Sequence, residues 1–237
     1  MTIRDMHYDF RKKLNKIDSA QYRNITIPEV DRILNEAANI FVKSIANPRF
    51  AKEVGLEMNQ RTIEDLRTII IDEFSLAATT TNNIDYYVTL PLDYQFYINS
   101  KVVAVKPSCT NSVICDVIVR KHSEEHRSSP FDESSFEWRE INIHFVGNQI
   151  RIFTDGTFSV SALLLDYLTI MPYMHNAQDF QGGTYTLPSG TVLTLSQDCV
   201  LPDIVHLEIV DLAVLLTSME LNSQDLQLKQ NKIQLNQ

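Results

Sequence analysis

Histidines are the side chains of this sequence whose type and spacing come closest to a metal site. His122 and His126, in "HSEEH", are four residues apart, the spacing that puts two zinc ligands on one helix face. The stretch is not HExxH and lies in a polar segment with Pro130 close behind, so we interpret both as solvated. His144 alternates along a predicted strand and His206 lies in a predicted buried helix. We interpret each of these two as a hydrogen-bonded structural histidine.

Other candidates for chemistry carry no local signal. His7 and His175 point neither to catalysis nor to structure. Cys109, Cys115 and Cys199 form no CxxC pair, and Cys115 lies within the apolar run "SVICDVIV". We therefore predict small buried thiols and no disulfide or zinc site.

Motifs for covalent or phosphate chemistry are missing from the sequence. No serine lies in GxSxG, and none of the 6 glycines lies in GxGxxG or GxxxxGK[ST]. Adjacent carboxylates, such as Asp72 and Glu73, point apart in either regular structure and are interpreted as solvated surface. We predict that the chain is not an enzyme and has no catalytic residue, cofactor or metal.

Charge and hydropathy restrict the class of protein. The net charge of −9 is uneven: residues 1–75 carry 12 Lys/Arg against 12 Asp/Glu, whereas residues 76–200 carry 7 against 13. Such an acidic chain is not expected to bind nucleic acid sequence-specifically. No apolar run approaches the roughly 20 residues that span a membrane. The charged start "MTIRDMHYDFRKKLNK" predicts no signal peptide, so we expect folding in a cytosol.

Helical periodicity dominates the first third of the chain. "TIPEVDRILNEAANIFVKSI" opens with Thr26 and Glu29 in capping-box spacing and continues as an apolar stripe. "DMHYDFRKKLNKI" predicts a weaker amphipathic helix before it. "NQRTIEDLRTIIIDEF" predicts a third helix after it, because Ile63, Leu66, Ile70 and Phe74 share helical spacing.

Strand signals follow from about residue 85. "DYYVTLPLDYQFYINSKVVAV" and "SVICDVIVRK" are rich in β-branched and aromatic residues. Gly147-Asn148 and Asp155-Gly156 are hairpin signals that predict an antiparallel meander of strands near 138–146, 149–154 and 157–169. "GGTYTLPSGTVLTL" predicts another hairpin.

The C-terminal part returns to helix. "LPDIVHLEIVDLAVLLTSM" is apolar nearly all round, which is typical of a central helix in a bundle. The predicted fold class is α+β: a helical bundle formed by the N- and C-terminal segments with an inserted antiparallel β domain. The predicted domains are a helical part at 1–80, the β domain at 85–200, a helix at 201–221 completing the bundle, and a polar arm at 222–237.

The polar arm has sparse aliphatic side chains on opposite sides of a helix. It could be a frayed tail or a segment that orders on a partner. The aliphatic side chains are Leu226, Leu228, Ile233 and Leu235.

Segment order along the chain carries a family resemblance. "MTIRDMHYDFRKKLNKIDSAQYRNITIPEVDRILNEAANIFVK" resembles the opening of head–tail connector and ring proteins of short-tailed phages, particularly crAss-like phages. The similarity continues through "QRTIEDLRTIIID", "YYVTLPLDY", "LLLDYLTIMPYM" and "LPDIVHLEIVDLAVLL". Tail tubular protein A, the adaptor ring of podovirus tails, is similar in overall plan.

The resemblance implies a structural virion protein in the tail or neck, assembled in the host cytoplasm. It would form a cyclic homo-oligomer of about twelve copies that joins the portal protein to the next tail ring or hub. DNA would pass through the lumen without sequence-specific binding, and the arm Leu226–Leu235 would dock on the portal.

Two alternatives stay open at this point. The chain could be a more distal tail ring of the same virion, which similarity of short motifs does not separate from the portal adaptor. It could also be a monomeric module whose β domain binds a small ligand or a peptide, for example by strand addition at a sheet edge.

Overall fold

The computed structural model describes residues 1–15, 25–46, 64–80, 82, 84–107, 109, 111–120 and 133–220. These residues form two compact units. One contains the described residues of 1–69 and 171–237 and is called the helical unit, and the other spans 70–170 and is called the sheet unit.

Three α-helices dominate the helical unit: α1 (Ile3–Asn15), α2 (Ile27–Ala46) and α3 (Asp203–Glu220). The predicted capping box at the start of α2 is present, because the Glu29 carboxylate accepts hydrogen bonds from the Thr26 backbone N–H and hydroxyl at 2.8 and 2.9 Å. α3 packs against both α1 and α2. Among its buried residues, Val205, Ile209 and Ala213 recur every four positions and so line one face, and Val210 and Val214 lie next to them.

Twelve β-strands occur in the described residues. They are β1 (Ile70–Ala77), β2 (Thr79–Thr80), β3 (Asp85–Thr89), β4 (Tyr94–Val105), β5 (Val113–Val119), β6 (Glu140–Val146), β7 (Gln149–Phe153), β8 (Ser159–Thr169), β9 (His175–Asn176), β10 (Thr184–Thr186), β11 (Val192–Thr194) and β12 (Ser196–Gln197). The last four form two small ribbons in the helical unit, β10 with β11 and β9 with β12. A 3-10 turn, Ala177–Asp179, follows β9.

The sheet unit is one eight-stranded sheet in the order β1-β8-β4-β5-β6-β7-β3-β2. Its pairs are antiparallel except β5 and β6, which run parallel with Val117 opposite Ile141. β1 and β2 are the two edge strands of this sheet, although only Ala78 separates them in the sequence. β1 pairs with β8 at one edge, and β2 pairs with β3 at the other. The sheet is therefore curled into a half-barrel around an apolar interior.

The predicted fold class is wrong. Of the described residues, 39% are strand and 33% are helix, and they form mainly a large curled mixed sheet with short helices and not a helical bundle with an inserted antiparallel domain. The predicted central helix also departs from expectation, since Ile204 and Leu207 of α3 are exposed. Hydrophobic periodicity reports which residues are apolar in each segment, but it does not report which segments pair or how far a sheet extends.

Two local predictions fail for the same reason. The predicted third helix is instead strand from Ile70 onward, where the β-branched run of β1 pairs with β8. The predicted three-stranded meander stops after two strands, because β6 and β7 form the hairpin at Gly147 whereas β8 pairs with β4 and β1. Asp155-Gly156 therefore turns the chain between strands that are not neighbours.

Candidate functional site

A buried carboxylate lies at the centre of the helical unit. Asp31 of α2 is 0% exposed, and every group that contacts its side-chain oxygens is a donor. His7 of α1 donates from Nε2 to Oδ1 at 2.7 Å, and the Tyr185 hydroxyl of β10 donates to Oδ2 at 2.6 Å. The Asn176 backbone N–H lies 3.1–3.2 Å from both oxygens. This Asp31 cluster thus joins α1, α2, β9 and β10 through one charge.

The tyrosines around Asp31 stay protonated. Burial, followed by the hydrogen bond to Asp31, raises the pKa of Tyr185 well above its ordinary value of 10.0. Burial and the nearby Asp31 charge also raise the pKa of Tyr173. A protonated hydroxyl donates to a carboxylate, so Tyr185 remains a hydrogen-bond donor to Asp31.

A second buried side chain, Asn35, connects α2 to the residue that precedes β9. The Asn35 amide donates to the Met174 carbonyl at 2.7 Å and accepts from the Met174 N–H at 2.9 Å. It also donates to the Asp31 carbonyl at 2.7 Å. The two bonds to Met174 satisfy a backbone N–H and carbonyl of a buried residue.

A groove of about 550 Å³ lies over His7. Its α1 side chains are Arg4, His7, Tyr8, Arg11 and Lys12. Ile27, Asn176 and Asp179 complete the lining. Because the hydrogen bond to Asp31 fixes His7, the Asp31 cluster positions one of the groove's lining side chains.

The Asp31–His7 pair resembles part of a catalytic triad, but no nucleophile in the described residues completes it. Among the described residues, no serine, threonine or cysteine hydrogen-bonds to His7. No described group of three His, Cys, Asp or Glu side chains is arranged to hold a metal ion. The arrangement as described can position hydrogen-bonding groups and bind a ligand.

Exposed apolar side chains mark both ends of the half-barrel. One end, which we call rim A, carries Ile84, Ile114 and Trp138, and the opposite end, rim B, carries Leu92, Val119 and Val146. The strand directions place them toward opposite ends: β5 runs parallel to β6, with Asp116 opposite Glu140 and Val119 opposite Ile143, and β3 and β7 run between the same two ends. Leu92 is 98% exposed and Trp138 is 82% exposed.

Several residues singled out in the sequence lie outside the described part of the chain. These are His122, His126 and the four arm residues Leu226, Leu228, Ile233 and Leu235. His144 and His206 are described, and each donates to a backbone carbonyl, of Arg120 at 2.9 Å and of Leu201 at 2.8 Å. The interpretation of these two as hydrogen-bonded histidines is confirmed.

The thiols differ from expectation at one position. Cys115 is buried and Cys199 is half-buried, whereas Cys109 is exposed. The three cysteines are free.

Sequence reasoning missed the Asp31 cluster. A signal was present: Asp31 and Asn35 have helical spacing with Leu34, Ala38 and Val42, so two polar residues lie on an apolar stripe. Buried polar side chains on such a stripe need partners, and His7 has the matching position beside Met6 and Phe10. Nothing local showed that His7 and Tyr185 would be those partners.

No protein-family model matches the chain, and no curated protein matches it either. Within the described residues, no helix is both long and apolar enough to cross a bilayer.

Proposed function

We propose that this chain is a structural virion protein: a ring-forming head–tail connector that joins a phage portal to the tail and surrounds the DNA channel. The order of sequence segments that resembles connector proteins supports this role. The structural observation that carries it is the pair of exposed apolar rims at opposite ends of the sheet unit.

The two rims fit the geometry of a ring. A cyclic assembly uses heterologous contacts, in which one surface of each subunit meets a different surface of the next copy or of a neighbouring ring. Leu92 and Trp138 are almost fully exposed, so burying them in such contacts contributes about 1.5–3 kcal/mol for each side chain.

The charge of the sheet unit suits a surface that DNA passes. Residues 70–170 carry 7 Lys/Arg against 13 Asp/Glu, a difference of −6. A negative lumen repels phosphates and limits sticking during passage. In this proposal the partners are further copies of the chain, the portal protein and the next tail ring, and Leu226, Leu228, Ile233 and Leu235 dock on the portal.

The test is the mass of the assembled protein. Light scattering and single-particle imaging of the full chain, alone and mixed with the portal protein of its virion, should show closed rings of about twelve copies stacked on the portal. Rings that bind the next tail ring but not the portal would assign the chain to a distal position. A protein that stays monomeric with both partners would refute the proposal.

Variants connect the assembly to the rims. Leu92→Ser at rim B and Trp138→Ser at rim A should each reduce ring formation while leaving the unfolding transition within about 0.5 kcal/mol of the parent, because neither side chain is buried. Val192→Ser removes a similarly exposed apolar side chain in the helical unit and serves as the matched control. Equal assembly by all three variants would exclude the rims as the contact surfaces.

A further inference from the structure

The groove over His7 has an unusual charge for this protein. The chain carries a net charge of −9, yet three of the side chains that α1 contributes to the groove are cationic: Arg4, Arg11 and Lys12. The one groove carboxylate, Asp179, is taken by Arg4 at 2.9 Å. The adjacent Lys13 is paired with Asp211 of α3 at 2.7 Å. Within the described part of the chain, Arg11 and Lys12 have no acidic partner.

Two neighbouring cations without a counter-charge attract an anion. The positive charges of Arg11 and Lys12, at adjacent positions of α1, repel each other, and an anion bound between them is attracted by both. The guanidinium of Arg11 offers paired N–H donors that match a carboxylate or a phosphate. The groove therefore selects for negative charge.

Two apolar side chains, Tyr8 and Ile27, also line the groove. Tyr8 is 66% exposed, although it is a large aromatic side chain, and its ring lies 5.6 Å from the Lys12 ammonium. Ile27 lies on the same groove. An aromatic or aliphatic group placed between Tyr8 and Ile27 would bury apolar surface next to the cations.

The polar groups of the groove are held in place before any ligand arrives. Asp31 fixes His7 at 2.7 Å, and Asp179 fixes both Arg4 and the Asn176 side-chain amide, the latter at 3.0 Å. Groups fixed in this way lose little conformational entropy on binding. The volume of about 550 Å³ is that of a small-molecule site.

We propose that this groove binds a small organic anion, with one carboxylate or phosphate group attached to an aromatic or apolar body. Arg11 and Lys12 hold the charged group, and Tyr8 and Ile27 hold the body. A nucleic-acid backbone fits less well, because it needs a longer row of cations than two and would meet the net negative charge of the chain. The site is independent of the ring proposal.

The binding test uses the full chain and four probes: phenyl phosphate, benzoate, inorganic phosphate and benzyl alcohol. Calorimetry and amide NMR should show saturable binding of phenyl phosphate or benzoate, with shifted signals in α1. Inorganic phosphate and benzyl alcohol each lack one half of the recognised structure and should bind at least about 5-fold more weakly. The tighter of the two aromatic anions identifies whether phosphate or carboxylate is preferred.

Substitutions assign the binding to the groove. Arg11→Gln and Lys12→Gln should each raise the Kd of the tighter probe about 5- to 10-fold. Tyr8→Ala should weaken the aromatic anions and leave inorganic phosphate unchanged. Lys43→Gln removes an exposed cation of α2 away from the groove and should have no effect.

Two results would overturn the proposal. One is the absence of saturable binding by both aromatic anions. The other is a Kd of the tighter probe that is the same for Arg11→Gln and Lys12→Gln as for the control Lys43→Gln. Ring assembly, measured on the same samples, reports separately on the connector proposal.

Discussion

Replacing the buried carboxylate of Asp31 by an amide tests whether the Asp31 cluster stabilises the helical unit as a charged acceptor. In Asp31→Asn, the shape is preserved but one oxygen becomes an NH₂ group. That NH₂ would face groups that all donate: His7 Nε2, the Tyr185 hydroxyl and the Asn176 N–H. Because Asp31 is 0% exposed, water cannot take the place of the lost acceptor.

The expected loss follows from these contacts. A hydrogen bond to a charged group contributes about 1.5–3 kcal/mol, and three donors act on one carboxylate. Simple addition overestimates the loss, since rotation of the amide can keep part of the network. We expect the free energy of unfolding to fall by about 3–5 kcal/mol, as for other broken buried ionic networks.

The assay follows urea unfolding with two probes. Far-UV circular dichroism reports mainly on α1, α2 and α3. The fluorescence of Trp138, the only tryptophan, reports on the sheet unit. The helical transition should move to lower urea concentration. Asp9→Asn removes a less buried carboxylate of α1 and should change the free energy of unfolding by less than about 0.5 kcal/mol.

A double-mutant cycle makes the test specific. Tyr185→Phe deletes one donor to Asp31, so its cost should be smaller in the Asp31→Asn background, with a coupling energy of about 1–2 kcal/mol. A loss below about 1 kcal/mol for Asp31→Asn, or strictly additive costs, would refute the reasoning.

Three further predictions follow from burial and backbone geometry. Burial and Asp31 raise the pKa of Tyr185 above 10.0, so the stability that Tyr185 contributes is full below pH 10.0 and is lost at higher pH. The urea midpoint of the parent protein should therefore fall as the pH rises above 10.0. In Tyr185→Phe the urea midpoint should depend less on pH in that range. Burial raises the pKa of Cys199 to about 11 and also raises the pKa of Cys115, whereas Cys109 is exposed. Iodoacetamide at about pH 9 should therefore alkylate Cys109 first, as followed by peptide mass mapping. Equal alkylation rates at the three cysteines would contradict this prediction. Leu195 has φ 63° and is 71% exposed, and asparagine adopts this left-handed conformation at a lower cost than leucine. Leu195→Asn should therefore raise the free energy of unfolding by about 0.5–1 kcal/mol, as measured by thermal unfolding. A decrease would show that the leucine side chain makes a stabilising contact.

Local pattern was sufficient for many individual elements. The capping box and apolar stripe predicted α2, and the alternation around Gly147 predicted the hairpin of β6 and β7. The hairpin of β10 and β11 was also predicted from its turn residues. Each of these depends on residues close together in the chain, where periodicity and turn chemistry act directly.

Local pattern was misleading where the partner was distant. Ile70 and Phe74 share helical spacing, yet they lie in a strand whose partners are Leu168 and Leu165. An apolar residue repeated every three or four positions is compatible with both structures, and only the pairing with β8 decides between them. The parallel pairing of β5 with β6 likewise has no local signature.

The sequence alone determined the net charge of −9, the absence of local catalytic motifs, and the positions of most helices and strands. Only the tertiary structure decided that a curled mixed sheet dominates the fold, and that His7, Asp31 and Tyr185 meet around one buried charge. The physical reason is that pairing and burial are set by contacts between segments up to 202 residues apart. The free energy of such contacts depends on the whole packed chain and not on neighbouring residues.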